Sequence, residues 1–265
     1  MSETPSIRDD LTLLEQSATE AAELVMGYFE KDPKSWKKND VSPVSEADLA
    51  SDALLQERLL GARPDYGWLS EETEDNPERL SRESVWIVDP IDGTNAFLQG
   101  KPDFTICAGL ARGGEAVAGV VVNPVHRQVF TAIRGQGAWM NGDTLQGPTE
   151  APLEEARFLC RRNVMKSERW AGAVPNAKSA YIGSLAYQLC VLAMGDRDAA
   201  VSVNPLHEWD IAAAGLILAE AGGVVTDQRG KALRYNQSVP RMDGMICAAP
   251  GLHNAISESL IPKDS

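Results

Sequence analysis

Two aspartates three positions apart close the apolar run from Val85 to Val88 in Trp86-Ile87-Val88-Asp89-Pro90-Ile91-Asp92-Gly93-Thr94-Asn95-Ala96-Phe97. The run reads as a short buried strand. Pro90 fixes φ and removes a donor. Gly93 frees the backbone for a tight turn or for close approach of a ligand. Carboxylates crowded onto a rigid turn repel each other, so something must hold them there. A hard cation does so well, because carboxylate oxygens suit Mg²⁺ or Mn²⁺. Taken alone, the same motif also reads as an ordinary strand-to-helix loop with an aspartate cap.

Two further acidic elements have the same character. Leu69-Ser70-Glu71-Glu72-Thr73 follows Tyr66-Gly67-Trp68, an apolar segment that breaks into adjacent carboxylates. In Glu208-Trp209-Asp210-Ile211-Ala212-Ala213-Ala214-Gly215, Asp210 opens a small-residue helix running to about Ala221. By itself the first is a solvated loop, and Asp210 is a first-turn anion on a helix dipole. Each of the three nevertheless puts a carboxylate where an ordered element starts or stops.

With these motifs the chain resembles the inositol monophosphatase family of Mg²⁺-dependent, lithium-sensitive phosphatases. The resemblance rests on Trp86 to Thr94, on Glu208 to Gly215 followed by Glu220-Ala221-Gly222-Gly223, and on Leu69-Ser70-Glu71-Glu72 and Val44-Ser45-Glu46-Ala47-Asp48. These match in order and spacing from about residue 10 to about residue 260. The resemblance implies a layered α-β-α-β-α sandwich of the inositol monophosphatase/fructose-1,6-bisphosphatase type. It implies one Mg²⁺ held by Glu71, Asp89 and the carbonyl of Ile91, and a second held by Asp89, Asp92 and Asp210. The resemblance also implies a weak third ion at Glu71, Mn²⁺ as a substitute and Li⁺ as an inhibitor. Two divalent ions roughly 3.5–4 Å apart can clamp a phosphate, activating water on one side and stabilising the leaving oxygen on the other. Glu71 and the hydroxyl of Thr94 would orient the attacking water, with Asp48 hydrogen-bonded to that threonine. The N–H groups of Gly93, Thr94 and Asn95 would meet the phosphate at a helix N-terminus, where free donors and the dipole favour an anion.

Several residues carry a second reading. Ser45-Glu46-Ala47-Asp48 also fits a capping box, with Ser45 as N-cap. Lys37 aligns with a family lysine near the third metal, but Lys31 to Asn39 is polar and also reads as a solvated loop. His207, three residues before Asp210, could line the cleft but reads first as structural. Gly183-Ser184-Leu185-Ala186 occupies the family's sugar-contact segment, so Gly183, Ser184 and Asp210 are expected to touch substrate. Seven residues before Asp210, where inositol-specific members carry a glutamate, this chain has Val203. Leu233-Arg234-Tyr235-Asn236 looks like the 3′(2′),5′-bisphosphate nucleotidase branch, and Arg234 could meet a second phosphate there or be a surface arginine. The substrate reading therefore leans to a bisphosphate nucleotide, with inositol 1-phosphate as alternative. From another class, a non-catalytic regulatory or binding protein on the same fold is the competing reading, against which Glu71, Asp89, Asp92, Thr94 and Asp210 all carry competent side chains.

Composition fits a mid-sized enzyme with a small phosphorylated substrate. The 265 residues are 43% hydrophobic, with no apolar run near the roughly 18 residues that span a membrane. The N-terminus lacks a basic segment followed by an apolar one, so no signal peptide and a cytoplasmic location are expected. A formal net charge of −13 repels nucleic acid and anionic membranes, and basic residues gather only in short pairs such as Arg161-Arg162. Cys107, Cys160, Cys190 and Cys247 are dispersed in apolar contexts and read as reduced and buried. A homodimer is implied by the resemblance alone.

The periodicities predict helices over 10–30 and 46–60, strands near 66–69, 85–88, 104–110, 116–122 and 128–133, and a turn-like stretch from Gly135 to Gly142. The polar segment 143–156 divides an α+β half, 1–150, from an α/β half, 151–265. The second half reads as strands at 157–160, 199–203, 223–226 and 244–248, with helices at 184–194, 210–221 and 251–260.

Overall fold

The computed structural model describes residues 5–38, 42–172 and 178–262. Helix α1 (Ile7–Met26) leads through a short ribbon of β1 (Ser35–Lys38) and β2 (Ser42–Ser45) into α2 (Glu46–Ala62). A seven-stranded sheet follows. Its strands are β3 (Gly67–Ser70), β4 (Ser84–Asp92), β5 (Thr105–Arg112), β6 (Glu115–Asn123), β7 (Gln128–Ile133), β8 (Gly137–Met140) and β9 (Asp143–Thr144), with α3 (Thr94–Leu98) between β4 and β5. They lie in chain order, β3 parallel to β4 and every later pair antiparallel.

The second half adds β10 (Arg157–Cys160), β11 (Lys178–Ala180), α4 (Leu185–Ala193), β12 (Ala199–Ser202), β13 (Leu206–His207), α5 (Glu208–Glu220), β14 (Val224–Thr226), β15 (Arg241–Met242), β16 (Met245–Ala248) and α6 (Pro250–Ser259). A five-stranded mixed sheet runs in the order β11-β10-β12-β16-β14. Helices α1 and α2 cover one face of the large sheet, α4 and α5 fill the space between the sheets, and α6 packs on the outer side of β16. This is the expected five-layer α-β-α-β-α sandwich.

Strand alternation explains the layering. Trp86 and Val88 point to Leu14 and Leu55 of the outer helices, whereas Val85 and Ile87 join Ala212 and Leu216 of α5. With both faces covered, β4 is buried along its whole length and reads as a continuous apolar run. The small residues of α5 have a steric reason: a Cβ at Gly119 would lie 2.9 Å from the Ala213 Cα. Backbone rests on backbone there, and that brings α5 down onto the sheet.

Some boundaries differ from expectation. The glycine-rich stretch from Gly135 to Gly142 holds a strand, because Ala138 and Met140 pair with Ala132 and Phe130 while the glycines occupy the ends. Helix α1 ends at Met26, short of the expected residue 30, and α2 runs to Ala62, two residues past its expected end. The expected Lys31-to-Asn39 loop contains β1, and Asn39 itself lies outside the described residues.

Candidate active site

The C-terminal end of β4 carries Asp89 and Asp92, both buried. Pairing with β5 slips between them, at the position where Pro90 offers no N–H. The freed Pro90 carbonyl accepts a bond from Ser51 Oγ of α2 at 3.0 Å. Asp89 Oδ1 accepts the N–H of Ile91 at 3.1 Å. Asp92 Oδ2 accepts from Ser184 Oγ and from the Ala186 N–H, both at 2.6 Å. Ser184 is the N-cap of α4, its Oγ accepting the Tyr187 N–H at 2.9 Å, so Asp92 is bonded into the start of a helix from the other half of the chain. Gly93 has φ +95°, and a Cβ there would meet the Asp103 carbonyl oxygen at 2.9 Å. It begins α3 with no side-chain cap, which leaves the first N–H groups of Thr94 and Asn95 without a side-chain acceptor.

Asp48 makes both of its expected sets of hydrogen bonds at once. Its Oδ2 accepts the Ser45 N–H at 2.8 Å and the Ser45 hydroxyl at 2.6 Å, closing the capping box of α2. Its Oδ1 lies 3.0 Å from Thr94 Oγ1, which is also 3.1 Å from the Ile91 carbonyl. The threonine hydroxyl is thus fixed from two sides.

Glu71 lies just beyond β3, in a loop held by a residue that sequence reasoning missed. Asp52 of α2 accepts hydroxyl bonds from Ser70 at 2.5 Å and Thr73 at 2.6 Å, one on each side of the glutamate pair. The signal was available: Asp52 lies four residues after Asp48, on the same helical face. Lys38, not Lys37, reaches this loop. Its ammonium pairs with Glu72, lies 3.8 Å from Glu71 Oε1 and donates to the Glu71 carbonyl at 3.2 Å. Strand alternation in β1 turns the neighbouring Lys37 away from it.

Asp210 sits in the first turn of α5, where Oδ2 accepts the His207 N–H at 2.7 Å. The His207 ring stacks on Trp209, centroids 4.4 Å apart and planes 6° from parallel, and its Nδ1 is buried without a hydrogen-bond partner.

These groups strain one another electrostatically. Burial pushes the Glu71 carboxyl up to about 7, with Lys38 opposing and Glu72, Asp92 and Asp48 adding to the rise. Burial raises Asp92 to about 6 against the bonds from Ser184 and Ala186. Asp89 and Asp210 are held well above the usual carboxylate range, first by burial and then by neighbouring carboxylates. A divalent cation bound among these carboxylates would oppose the rise, because positive charge beside them favours their ionised forms. The donor set is carboxylate oxygen throughout, and the second oxygens of Asp89 and Asp210 accept no hydrogen bond among the described residues. Hard oxygen donors with lone pairs to spare fit Mg²⁺ or Mn²⁺. As the side chains stand, no group of three or more His, Cys, Asp or Glu among the described residues closes around an ion.

Asp92 and Asp210 form one wall of a cavity of about 280 Å³ that opens between the two sheets. Gly183 and Leu185 line it beside them, and Val201, Val203 and Leu206 continue its surface. Arg234 is not near it. Its guanidinium pairs with Glu115 at 3.0 Å, and Glu115 pairs through Arg112 with Ser84, at the opposite end of β4 from Asp92. That is about 25 Å away at roughly 3.3 Å per strand residue. Arg234 is therefore a surface arginine and cannot meet a phosphate in this cleft. Among the described residues no helix is long and apolar enough to cross a membrane, and the four cysteines are buried and unbridged.

The sequence pattern of the inositol monophosphatase family matches residues 8–263. An inositol-1-monophosphatase of Rhizobium meliloti (strain 1021) is 36% identical over 203 residues, covering 73% of this chain and 75% of its own length. A histidinol-phosphatase of Chlorobaculum parvum is 30% identical over 264 residues, covering 95% of each. The crystal structure of the extragenic suppressor protein suhB from Bartonella henselae superposes with a TM-score of 0.81 at 28% identity, covering 94% of this chain and 97% of that one.

Proposed function

The chain belongs to the inositol monophosphatase family, a family of phosphatases, and from that premise we propose that it hydrolyses a small phosphate monoester to the free alcohol and inorganic phosphate with Mg²⁺ at the carboxylate cluster. Glu71, Asp89, the Ile91 carbonyl, Asp92 and Asp210 are the candidate ligands. When bound, the metal supplies an activated water and charge stabilisation at the transferred phosphoryl group. The chain's own work is to position and to exclude. Asp48 holds the Thr94 hydroxyl, and Thr94 with Glu71 orients the incoming water. The unpaired N–H groups after Gly93 donate to phosphate oxygens, with Asn95 at the same turn. Ser184 keeps Asp92 in place. Fixed dipoles and charges of this kind need no reorganisation during the reaction.

One observation carries the reading. Asp92 from the end of β4 and Asp210 from the start of α5 share one cavity wall, Asp89 lies buried three residues before Asp92, and Asp89 and Asp210 each keep an oxygen that accepts no hydrogen bond among the described residues. Sequence alone leaned to a bisphosphate nucleotide over inositol 1-phosphate. With Arg234 removed from the argument, the lean rests on Val203, which offers a substrate hydroxyl no partner. The reading also takes a homodimer in the cytoplasm, on the resemblance alone.

The test is phosphate release from inositol 1-phosphate and adenosine 3′,5′-bisphosphate at matched concentrations, with Mg²⁺ and with EDTA. Release in Mg²⁺ that is lost in EDTA and in Asp89→Asn supports the reading. Hydrolysis that survives Asp89→Asn overturns it.

A further inference from the structure

Helix α5 carries Asp210 in its first turn, and a glutamate stands at each of its ends. At the C-terminal end the Glu220 carboxylate accepts the N–H groups of Gly135 and Gly137, at 2.8 and 3.0 Å, from the turn between β7 and β8. At the N-terminal end the Glu208 carboxylate accepts the N–H groups of Asn236 and Gln237, at 2.6 and 2.8 Å. Charge-assisted bonds to neighbouring N–H groups fix a loop in both position and direction. The two ends differ in burial: Glu220 is partly exposed, whereas Glu208 is fully buried. A buried carboxylate is a poor source of stability, because its desolvation offsets what its bonds return. What Glu208 supplies is geometry, two residues before Asp210.

The loop that Glu208 holds is held in turn by the first half of the chain. Asn236 has φ +57°, a conformation that asparagine tolerates better than most residues. Its side chain meets Arg79 in both directions. Oδ1 accepts from the guanidinium at 2.7 Å, and Nδ2 donates to the Arg79 carbonyl at 3.2 Å. The same guanidinium donates to the Gln237 carbonyl at 3.0 Å and grips Asp75 through bonds of 2.6 and 2.9 Å. A planar fork with several donors can serve all of these partners at once. Arg79 is buried, and its stem lies against the first residue of β3: a Cβ at Gly67 would lie 3.0 Å from the Arg79 Cβ. Strand β3 leads directly into Glu71, and Asp75 lies on the segment that leaves it. Bonds and packing therefore run from both sides of the Glu71 loop through Arg79 and Asn236 to Glu208 and the first turn of α5. Asp210 in that turn is close enough to Glu71 to feel its charge.

We propose that Arg79, Asn236 and Glu208 form a positioning clamp that sets Asp210 against Glu71, and so fixes the separation of candidate metal ligands from the two halves of the chain. This deepens the metal-dependent phosphatase reading and rests on it. The clamp residues act through the segments they hold and take no part in bond breaking. An ion that demands near-ideal octahedral geometry is sensitive to such a separation. Glu220 has the same chemistry at the other end of the same helix, lies outside the clamp and supplies the comparison.

Calorimetric titration of the metal-free full chain with Mn²⁺ reads the clamp without any substrate. Glu208→Gln replaces one acceptor by an amide that faces a backbone N–H, and should weaken Mn²⁺ binding about 10–100-fold. Asn236→Gly keeps the left-handed turn and the bond to Glu208 but removes both side-chain bonds to Arg79, and should weaken binding in the same direction. Glu220→Gln should leave Mn²⁺ affinity unchanged, whatever it does to thermal unfolding. In phosphate release, the deficit of Glu208→Gln should shrink as Mg²⁺ is raised, a recovery that general destabilisation does not give. Thermal unfolding shows which variants are folded. If Glu208→Gln is not, Asn236→Gly and Arg79→Lys carry the test, the lysine keeping charge without the fork. Wild-type affinity in the folded clamp variants, or an equal loss in Glu220→Gln, overturns the clamp alone. A wild-type chain that binds no Mn²⁺ overturns the metal reading and the clamp with it.

Discussion

At the acidic end of the cavity Asp89, Asp92 and Asp210 are tied to backbone or hydroxyl groups, whereas at the mouth Arg161 lies over the exposed Tyr181 ring with no ion pair among the described residues. Asp89, Asp92 and Asp210 are each fixed by at least one N–H, and Asp48 and Asp52 fix the residues beside them. The mouth sits on an edge strand, β11, and on the loop leaving β10. The difference separates two tasks. Groups that must meet a transition state are held to a fraction of an ångström by packing and a second layer of bonds. Groups at the mouth can be exchanged without disturbing that frame.

The largest effect that would sharpen this contrast is at Asp89. Asp89→Asn should lower kcat/KM by at least about 10³-fold on every substrate alike, because the loss is in the shared reaction. A substrate-dependent loss in steady-state kinetics would break the division. Gly93→Ala comes next. With φ at +95° and the Asp103 carbonyl 2.9 Å from the added carbon, it should cost about 2–4 kcal/mol in denaturant unfolding along with most activity. An unperturbed Gly93→Ala protein would show that the turn is looser than described.

Asp52→Asn keeps the shape but weakens the grip on Ser70 and Thr73. A loss of about 10–100-fold in activity with little change in unfolding would mark it as a positioning residue for Glu71. Ser184→Ala removes the α4 cap and a partner of Asp92, and should cost about 1 kcal/mol in stability. The smallest effect is in pH. Glu71 and Asp92 have folded-state values near 7 and 6, above their ordinary range. The metal-free folded chain therefore holds protons that the unfolded chain has released, and stability from these groups falls as pH rises from about 4.5 to about 7. Mg²⁺ should displace those protons, so its gain in melting temperature should be larger at pH 8 than at pH 5.5. Equal gains would show that the carboxylates are not what the ion binds.

Much of this was legible in the sequence. Strong periodicities placed every helix of eight or more residues within a few positions, and Asp89 to Thr94 announced the turn because proline and glycine leave the backbone few options. What stayed hidden depends on neighbours distant in the chain. The strand at Gly137–Met140 looks like a turn by composition and becomes a strand by pairing with β7. Lys38 is chosen over Lys37 by strand alternation, which a polar segment does not reveal. Arg234 looked suitable by chemistry, but the length of β4 places it at the wrong end.

The bond from the Ala186 N–H to Asp92 joins residues 94 positions apart. In a chain made from its N-terminus, all seven strands of the large sheet are synthesised before α4. Until then Asp92 lacks its anchor and Asp210 does not yet exist, so the early half presents only part of the acidic wall. A cation held by Asp92 and Asp210 together would therefore require both halves of the chain to have docked.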